Sequence, residues 1–135
     1  MHTLRIVSAI LSISFATVAA AGDFDGALPL TCAVTVSHDC LPGKTACEST
    51  VPKNTSTSII GIDFAKKQIR SPYRKELLPV KTATTNPDSL VMQGGDQFIA
   101  WSGLVDRKTG ALTVALADRE GAYVYFGTCK VADKK

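Results

Sequence analysis

Aromatic residues, histidines and excess charge are all scarce in this sequence. Of its 135 residues, 7% are aromatic and two are histidine, and the net charge is only +3. So few aromatic side chains leave little for a base-stacking surface, and so small a charge does not indicate a nucleic-acid partner. The cysteines also lack the spacing of zinc ligands, because no two of them form a CxxC pair. We therefore expect no nucleic-acid partner, no metal site and no cofactor.

Side chains that carry out enzymatic catalysis are scarce as well. His38 is the only histidine after residue 2, and it stands in the run Ser37-His38-Asp39. Consecutive residues of a strand alternate faces, so these three cannot form a nucleophile–base–orienter chain by themselves. No two carboxylates can be assigned to one cleft for glycoside cleavage. The sequence favours a protein that is not an enzyme, and a hydrolase with an unmarked site is one alternative.

The chain has one long apolar segment, and it lies near the N-terminus. Residues 6–21 carry no charge, follow a short basic start and end in small residues, the pattern of a secretory signal peptide. A membrane-spanning helix needs about 20 predominantly apolar residues, and this segment is shorter and rich in Ser, Thr and Ala. We predict a signal peptide over residues 1–21, cleaved after Ala20 or Ala21, and no membrane span. One secreted or periplasmic β domain should follow over residues 22–135.

All four cysteines lie beyond the predicted signal peptide, at Cys32, Cys40, Cys47 and Cys129. An even number of cysteines in a small exported chain indicates two disulfides. Four cysteines allow three pairings, and the sequence does not choose among them. We favour Cys32–Cys129, which would tie the first strand to the last, and Cys40–Cys47, which would clamp one hairpin.

Alternation of apolar with polar or small residues predicts an all-β fold. The alternation is clear over residues 30–36, and similar short runs follow it along the chain. Turn signals separate these runs, most strongly at residues 106–110 and 118–121. Short connections favour antiparallel pairing in sequence order, so we predict a meander of about eight short strands, forming a small barrel or a barrel-like sandwich. A single helical turn is allowed only at residues 73–78.

Positive charge is concentrated in one stretch, where six Lys or Arg residues fall within sixteen positions. One interpretation is a contact patch for an anionic partner, such as lipid headgroups, an acidic glycan or an acidic protein. The other is a solvated hairpin edge, where lysine discourages edge-to-edge pairing of sheets. The candidate patch consists of Lys66, Lys67, Arg70, Arg74, Lys75 and Lys81.

Four aromatic residues form a second candidate contact surface. Phe98 and Trp101 lie in or beside the longest apolar stretch after the signal peptide, and Tyr123 and Tyr125 share one face of the last strand. These side chains either line an exposed binding strip or pack in the core. An eight-stranded barrel can also enclose one small ligand, so a carrier of the lipocalin kind is a further alternative, although so short a chain favours a packed interior.

Several short segments occur together in this chain: three cysteines between residues 32 and 47, residues 90–94, Trp101-Ser102 followed by 106–110, and residues 126–129 (Phe-Gly-Thr-Cys). In this arrangement the chain resembles a family of small exported β proteins of Gram-negative bacteria, chiefly alphaproteobacteria. The resemblance covers roughly residues 30–131. It implies export and a β fold, and it implies no particular activity.

A weaker likeness concerns the strand at residues 98–101, Phe-Ile-Ala-Trp. It is similar to the tryptophan-bearing strand of the periplasmic inhibitors of C-type lysozyme, which are small β-barrels with a disulfide tying their ends. The chain departs from those inhibitors at their Ser-Gly-x-x-Tyr loop, where it has Gly-Gly-Asp at residues 94–96. Taken together, the sequence predicts a non-enzymatic binding or inhibitor module for an anionic envelope component or another protein.

Overall fold

A computed structural model describes residues 24–133 of the chain. The predicted signal peptide over residues 1–21 lies outside these described residues. Within them, the chain forms nine strands and one 3-10 turn at Thr55–Thr57. The strands are β1 Leu30–Cys40, β2 Glu48–Thr50, β3 Ile59–Asp63, β4 Gln68–Arg70, β5 Leu78–Thr85, β6 Ser89–Gly95, β7 Ile99–Asp106, β8 Ala111–Asp118 and β9 Ala122–Val131.

Eight of these strands form a closed antiparallel barrel. Each strand from β3 to β8 pairs with the next one along the chain, and β1 pairs with both β9 and β3 to complete the ring. On the edge away from β9, β1 pairs with two strands. Its first residues pair with β3, and residues 37–39 pair with β2. The short strand β2 pairs only with β1 and is therefore not part of the ring. The all-β antiparallel prediction is confirmed, and of its two architectures the chain adopts the barrel.

The two disulfides have the favoured pairing. Cys32 and Cys129 are register partners on β1 and β9, so their bond crosses the seam where the barrel closes. Cys40 and Cys47 join the end of β1 to the segment just before β2. The first bond thus joins cysteines that are 97 residues apart in sequence. The second clamps a hairpin, and its cysteines are only seven residues apart.

The interior of the barrel is filled with side chains from alternate strand positions. In β7, Ile99, Trp101, Gly103 and Val105 are buried, and the residues between them are exposed. A cavity next to Trp101 and Met92 has a volume of about 30 Å³. Ligand pockets usually measure about 300–1,000 Å³, so this cavity is far too small for a carried ligand.

The two ends of the barrel are closed by different segments. At one end the N-terminal segment crosses the opening, with the ring of Phe24 against Gly110 and the Thr85 hydroxyl donating to the carbonyl of Asp25 at 2.7 Å. At the other end the loop of residues 71–77, between β4 and β5, lies over the opening. The helical turn that the sequence allowed only at residues 73–78 does not form, because this loop has turns and bends instead, and the single helical turn among the described residues lies at Thr55–Thr57.

Asp106, in the turn between β7 and β8, should stabilise the protein at neutral pH and lose this effect in acid. Hydrogen bonds donated by Thr109, and to a smaller extent by Lys108, lower the pKa of Asp106 below its usual 3.8. Because folding depresses this pKa, the stabilising effect is complete above pH 3.8 and is lost as the pH falls through the lower value in the folded state. An Asp106→Asn variant should therefore lose less stability than the wild type between about pH 5 and about pH 2, measured as Tm. Equal losses in the two proteins would contradict this role of Asp106.

Candidate functional site

A cleft of about 270 Å³ lies at the barrel end covered by the loop of residues 71–77. The loop forms one side of the cleft, and the ends of β8 and β9 with the turn between them form the other. Aromatic and charged side chains dominate its lining. These side chains are Tyr73, Arg74, Asp118, Glu120, Tyr123 and Tyr125.

The alternation of β9 places two of the cleft tyrosines, Tyr123 and Tyr125, on the inward face of the barrel wall. Tyr123 and Tyr125 have the same parity as Cys129, which is buried, so all three belong to the inward face of the strand. The register of β1 against β9 shifts between Val34 and Val36. Past this irregularity Tyr125 has Ser37 as its register partner, and Tyr123 has Asp39. The cleft therefore lies at the mouth of the barrel and is lined by residues of the same inward face that fills the interior.

Asp118 connects the two sides of the cleft. One carboxylate oxygen, Oδ1, accepts hydrogen bonds from the backbone N–H groups of Glu120 at 2.8 Å and Gly121 at 3.1 Å, which closes the turn between β8 and β9. The other oxygen, Oδ2, accepts a hydrogen bond from the Arg74 guanidinium at 3.1 Å. The Asp118 side chain is only 14% exposed, so this ion pair is partly shielded from water. Asp118 thus holds the loop against the turn.

A second contact holds the loop from its aromatic side. The ring of Tyr73 stacks on the ring of Tyr125, with centroids 5.0 Å apart and planes 10° from parallel. Tyr73 itself is 46% exposed, so much of this side chain remains in contact with solvent. The loop therefore rests on β9 through an aromatic stack and on the β8–β9 turn through an ion pair.

The environment of β9 raises the pKa of both of its cleft phenols, those of Tyr123 and Tyr125, so they stay protonated at neutral pH. Burial, with a smaller contribution from Asp39, raises the pKa of Tyr125 to about 12. Burial also raises the pKa of Tyr123, and the carboxylates of Asp118 and Glu120 add to the effect. Carboxylates raise a neighbouring phenol pKa because their negative charge disfavours the phenolate. The tyrosine hydroxyls are therefore available as both donors and acceptors.

The structure divides the predicted basic patch among several surfaces. Lys66 and Arg70 line a groove beside β3 and β4, whereas Lys67 and Lys81 line a different groove beside β5. Arg74 lies in the cleft, bound to Asp118. Neighbouring positions of a strand face opposite sides and the intervening turns reverse the chain, so this placement favours the solvated hairpin edge over a contact patch, and the patch stays a prediction.

Lys66 and Lys75 differ in their surroundings. Lys66 forms an ion pair with Asp63 at 3.3 Å, and its side chain is 73% exposed. Lys75 is exposed within the loop of residues 71–77. Of the six positive residues, Lys66 and Arg74 are therefore paired with carboxylates, which reduces the charge that the stretch presents to an anionic partner.

The four aromatic residues of the second candidate surface do not all lie together. Trp101 is 5% exposed inside the barrel, whereas Phe98 is 59% exposed at the turn between β6 and β7. Tyr123 and Tyr125 both line the cleft, and Tyr125 also lines the small interior cavity beside Trp101, so of the four only Phe98 stands apart. Sequence reasoning missed the roles of Arg74 and Asp118 there, because 44 residues separate them and each has a commoner local role.

His38 does not belong to the cleft. It lies between Ser37 and Asp39 on β1 and packs edge-on against the ring of Phe126, with ring centroids 5.9 Å apart. Its register partner on β9 is Val124, on the outward face of that strand. Within residues 24–133, no group of three or more His, Cys, Asp or Glu side chains is arranged to hold a metal ion.

The outer face of β7, β8 and β9 is a second exposed surface, open and shallow. Its outward-facing side chains are small and uncharged, and on β9 they lie on the opposite face from the tyrosines. These outward positions are Ala100, Ser102, Ala115, Ala117, Ala122 and Val124, and the inward-facing Trp101, Leu116 and Tyr123 also border the surface.

Comparisons of the chain with protein-family models, with curated proteins and with solved structures find no match. The resemblances to the exported β family and to the lysozyme inhibitors therefore stay predictions. In the part of the chain that the structure describes, no helix is long and apolar enough to cross a membrane. The two disulfides are compatible with an extracytoplasmic protein.

Proposed function

We propose that this protein is an exported, non-enzymatic binding module whose contact site is the tyrosine-lined cleft. The observation that carries the proposal is the double use of Asp118, which holds Arg74 and the β8–β9 turn together at the end of a disulfide-closed barrel. Binding sites on rigid scaffolds are commonly built from loops at one end. Tyrosine suits such a site because its ring is apolar and its hydroxyl is polar. Another protein in the exported compartment is the partner that we favour.

The position of His38 supports binding over hydrolysis. A nucleophile and its base must approach within hydrogen-bond distance, and His38 packs against Phe126 on the face of the sheet away from the cleft. In the cleft, Ser71 Oγ accepts a hydrogen bond from the backbone N–H of Tyr73 at 3.2 Å, the role of a turn residue. These contacts favour a recognition surface.

The packed interior supports a site at the end of the barrel instead of inside it. The cavity of about 30 Å³ next to Trp101 has roughly the volume of one water molecule. A lipocalin-like carrier would need a chamber at least several times larger. The signal peptide predicted over residues 1–21 and the two disulfides both favour a secreted or periplasmic location for the module.

The proposed function predicts site-specific cross-linking to a partner. A photoreactive p-benzoyl-phenylalanine in place of Tyr73, which is 46% exposed, should give a discrete covalent adduct in cells that export the protein. The same group in place of Thr84 on β5, or of Ala115 on the outer face of the barrel, should not give that adduct. Adding Asp118→Ala to the Tyr73 variant should lower the adduct yield about tenfold, the equivalent of about 1.4 kcal/mol, because Arg74 loses its anchor.

Two results would overturn the proposal. Adducts at Thr84 or Ala115 but not at Tyr73 would assign the contact to another surface. The absence of an adduct at all three positions, with the protein folded and exported, would mean that no macromolecular partner uses the cleft.

A further inference from the structure

The charged groups nearest the cleft tyrosines are mainly acidic, although the chain as a whole is positive. Asp118 and Glu120 line the cleft together with the guanidinium of Arg74, and Asp39 is the register partner of Tyr123. The charge of these groups is therefore −2, whereas the net charge of the whole sequence is +3. Charge of one sign gathered in a cleft concentrates the field there and attracts ligands of the other sign.

Two of the three carboxylates form no ion pair in the part of the chain that the structure describes. Asp118 is engaged by Arg74 and by the backbone of its own turn. Among residues 24–133, the ion pairs within 4.0 Å include neither Asp39 nor Glu120. Asp39 and Glu120 are thus the groups that would meet an incoming charge.

The tyrosines of the cleft would also attract a cation, in addition to the carboxylates. An ammonium or guanidinium group is attracted to the face of an aromatic ring, and phenol oxygens accept its hydrogen bonds. Tyr73 presents an exposed ring on one side of the cleft, and Tyr123 lies on the other. Carboxylates combined with aromatic rings suit an organic cation better than a neutral sugar, because a sugar gains nothing from the negative potential.

We propose that the cleft binds an organic cation, the ammonium or guanidinium group of a Lys-like or Arg-like side chain. This inference rests on the proposed function and names the chemistry of its ligand. The volume of about 270 Å³ lies just below the usual range of ligand pockets, which suits one side chain better than a whole drug-sized molecule. The same cationic group also occurs in free amines, so the test includes both sources.

The test is titration of the disulfide-bonded protein, followed by amide and side-chain NMR shifts. The probes are the blocked single residues N-acetyl-arginine methylamide and N-acetyl-lysine methylamide, with agmatine as the free amine. N-acetyl-citrulline methylamide is the matched control ligand, since it replaces the guanidinium by an uncharged urea of nearly the same shape. The cationic probes should shift the signals of Tyr73, Glu120 and Tyr123 with a Kd of about 1 mM, and the citrulline probe should bind at least about fivefold more weakly.

Variants of the protein supply the second arm of the test. Glu120→Gln should weaken binding of the cationic probes about fivefold, the contribution of a charge about 4 Å away even at the dielectric constant of water. Asp88→Asn, which removes an exposed carboxylate at the opposite end of the barrel, should leave binding unchanged. Raising the salt from about 0.1 M to about 1 M should also weaken binding, because the Debye length falls from about 10 Å to about 3 Å.

The outcomes separate this inference from the proposed function. Equal binding of the citrulline and arginine probes, shifts confined to residues outside the cleft, or no shifts at millimolar probe would overturn the cationic ligand. A cross-link at Tyr73 together with any of these results would keep the cleft as a contact site for a different chemistry. Cation binding without a cross-link would keep the ligand and overturn the protein partner. Tighter binding of agmatine than of the blocked residues would identify the source as a free amine.

Discussion

Removing the disulfide between Cys32 and Cys129 should lower the free energy of unfolding by about 4–5 kcal/mol. This bond closes a loop of 97 residues, and in the chain-entropy model a longer loop gives a larger constraint on the unfolded chain. The double variant Cys32→Ala/Cys129→Ala also leaves unfilled volume at two buried positions on the seam of the barrel. Urea unfolding, monitored by the fluorescence of Trp101, measures the change.

The hairpin disulfide is the matched control. Cys40→Ala/Cys47→Ala opens a sequence separation of only seven residues, so its expected cost is about 2–3 kcal/mol. Cys40 is half-buried and Cys47 is exposed, so little packing is lost with them. Equal costs for the two double variants would contradict the view that the long-range bond is the stronger constraint.

Substitution of Gly94 by alanine should destabilise the protein by about 3 kcal/mol, the upper part of the usual range for an overpacked interior. Gly94 on β6 is the register partner of Trp101 on β7, and the indole lies against it. A Cβ atom there would be 2.0 Å from the carbonyl oxygen of Pro79 and 2.6 Å from Cζ2 of Trp101. Because the Pro79 contact involves backbone, a rotamer change of Trp101 cannot relieve it.

Two further variants make the Gly94 prediction specific. Gly61→Ala is the control, since its nearest new neighbour is Cβ of Arg70 at 3.8 Å, and it should change the free energy of unfolding by less than about 0.5 kcal/mol. Adding Trp101→Phe to Gly94→Ala should not restore stability, because the Pro79 carbonyl remains in the way. Full rescue by that second change would show that the indole alone sets the requirement for glycine.

The cleft explains why linear clusters of charge are poor guides to a site. Arg74 belongs to the basic stretch in sequence, yet in space it is bound to Asp118 among carboxylates. Tyr73 and Tyr125 are 52 positions apart and stack because a loop crosses the end of the barrel. Local patterns report which face a residue takes, but they do not report which distant residue it meets.

The same limit accounts for the absence of the helical turn that the sequence allowed at residues 73–78. Proline on either side of this segment favours a short helix that starts and stops there. In the folded chain Tyr73 and Arg74 are instead held by β9 and by the β8–β9 turn. Tertiary contacts override so weak a local preference, because a single helical turn forms few hydrogen bonds of its own.

By itself, the sequence determined that the chain forms antiparallel strands, where its main turns lie and which residues of each strand share a face. Those properties depend on neighbours along the chain, so periodicity and turn residues carry them. Only the tertiary structure decided that β9 closes on β1, that Trp101 fills the interior and that Asp118 anchors Arg74 in a tyrosine-lined cleft. These are contacts between residues far apart in sequence, and they exist only once the strands close into a ring.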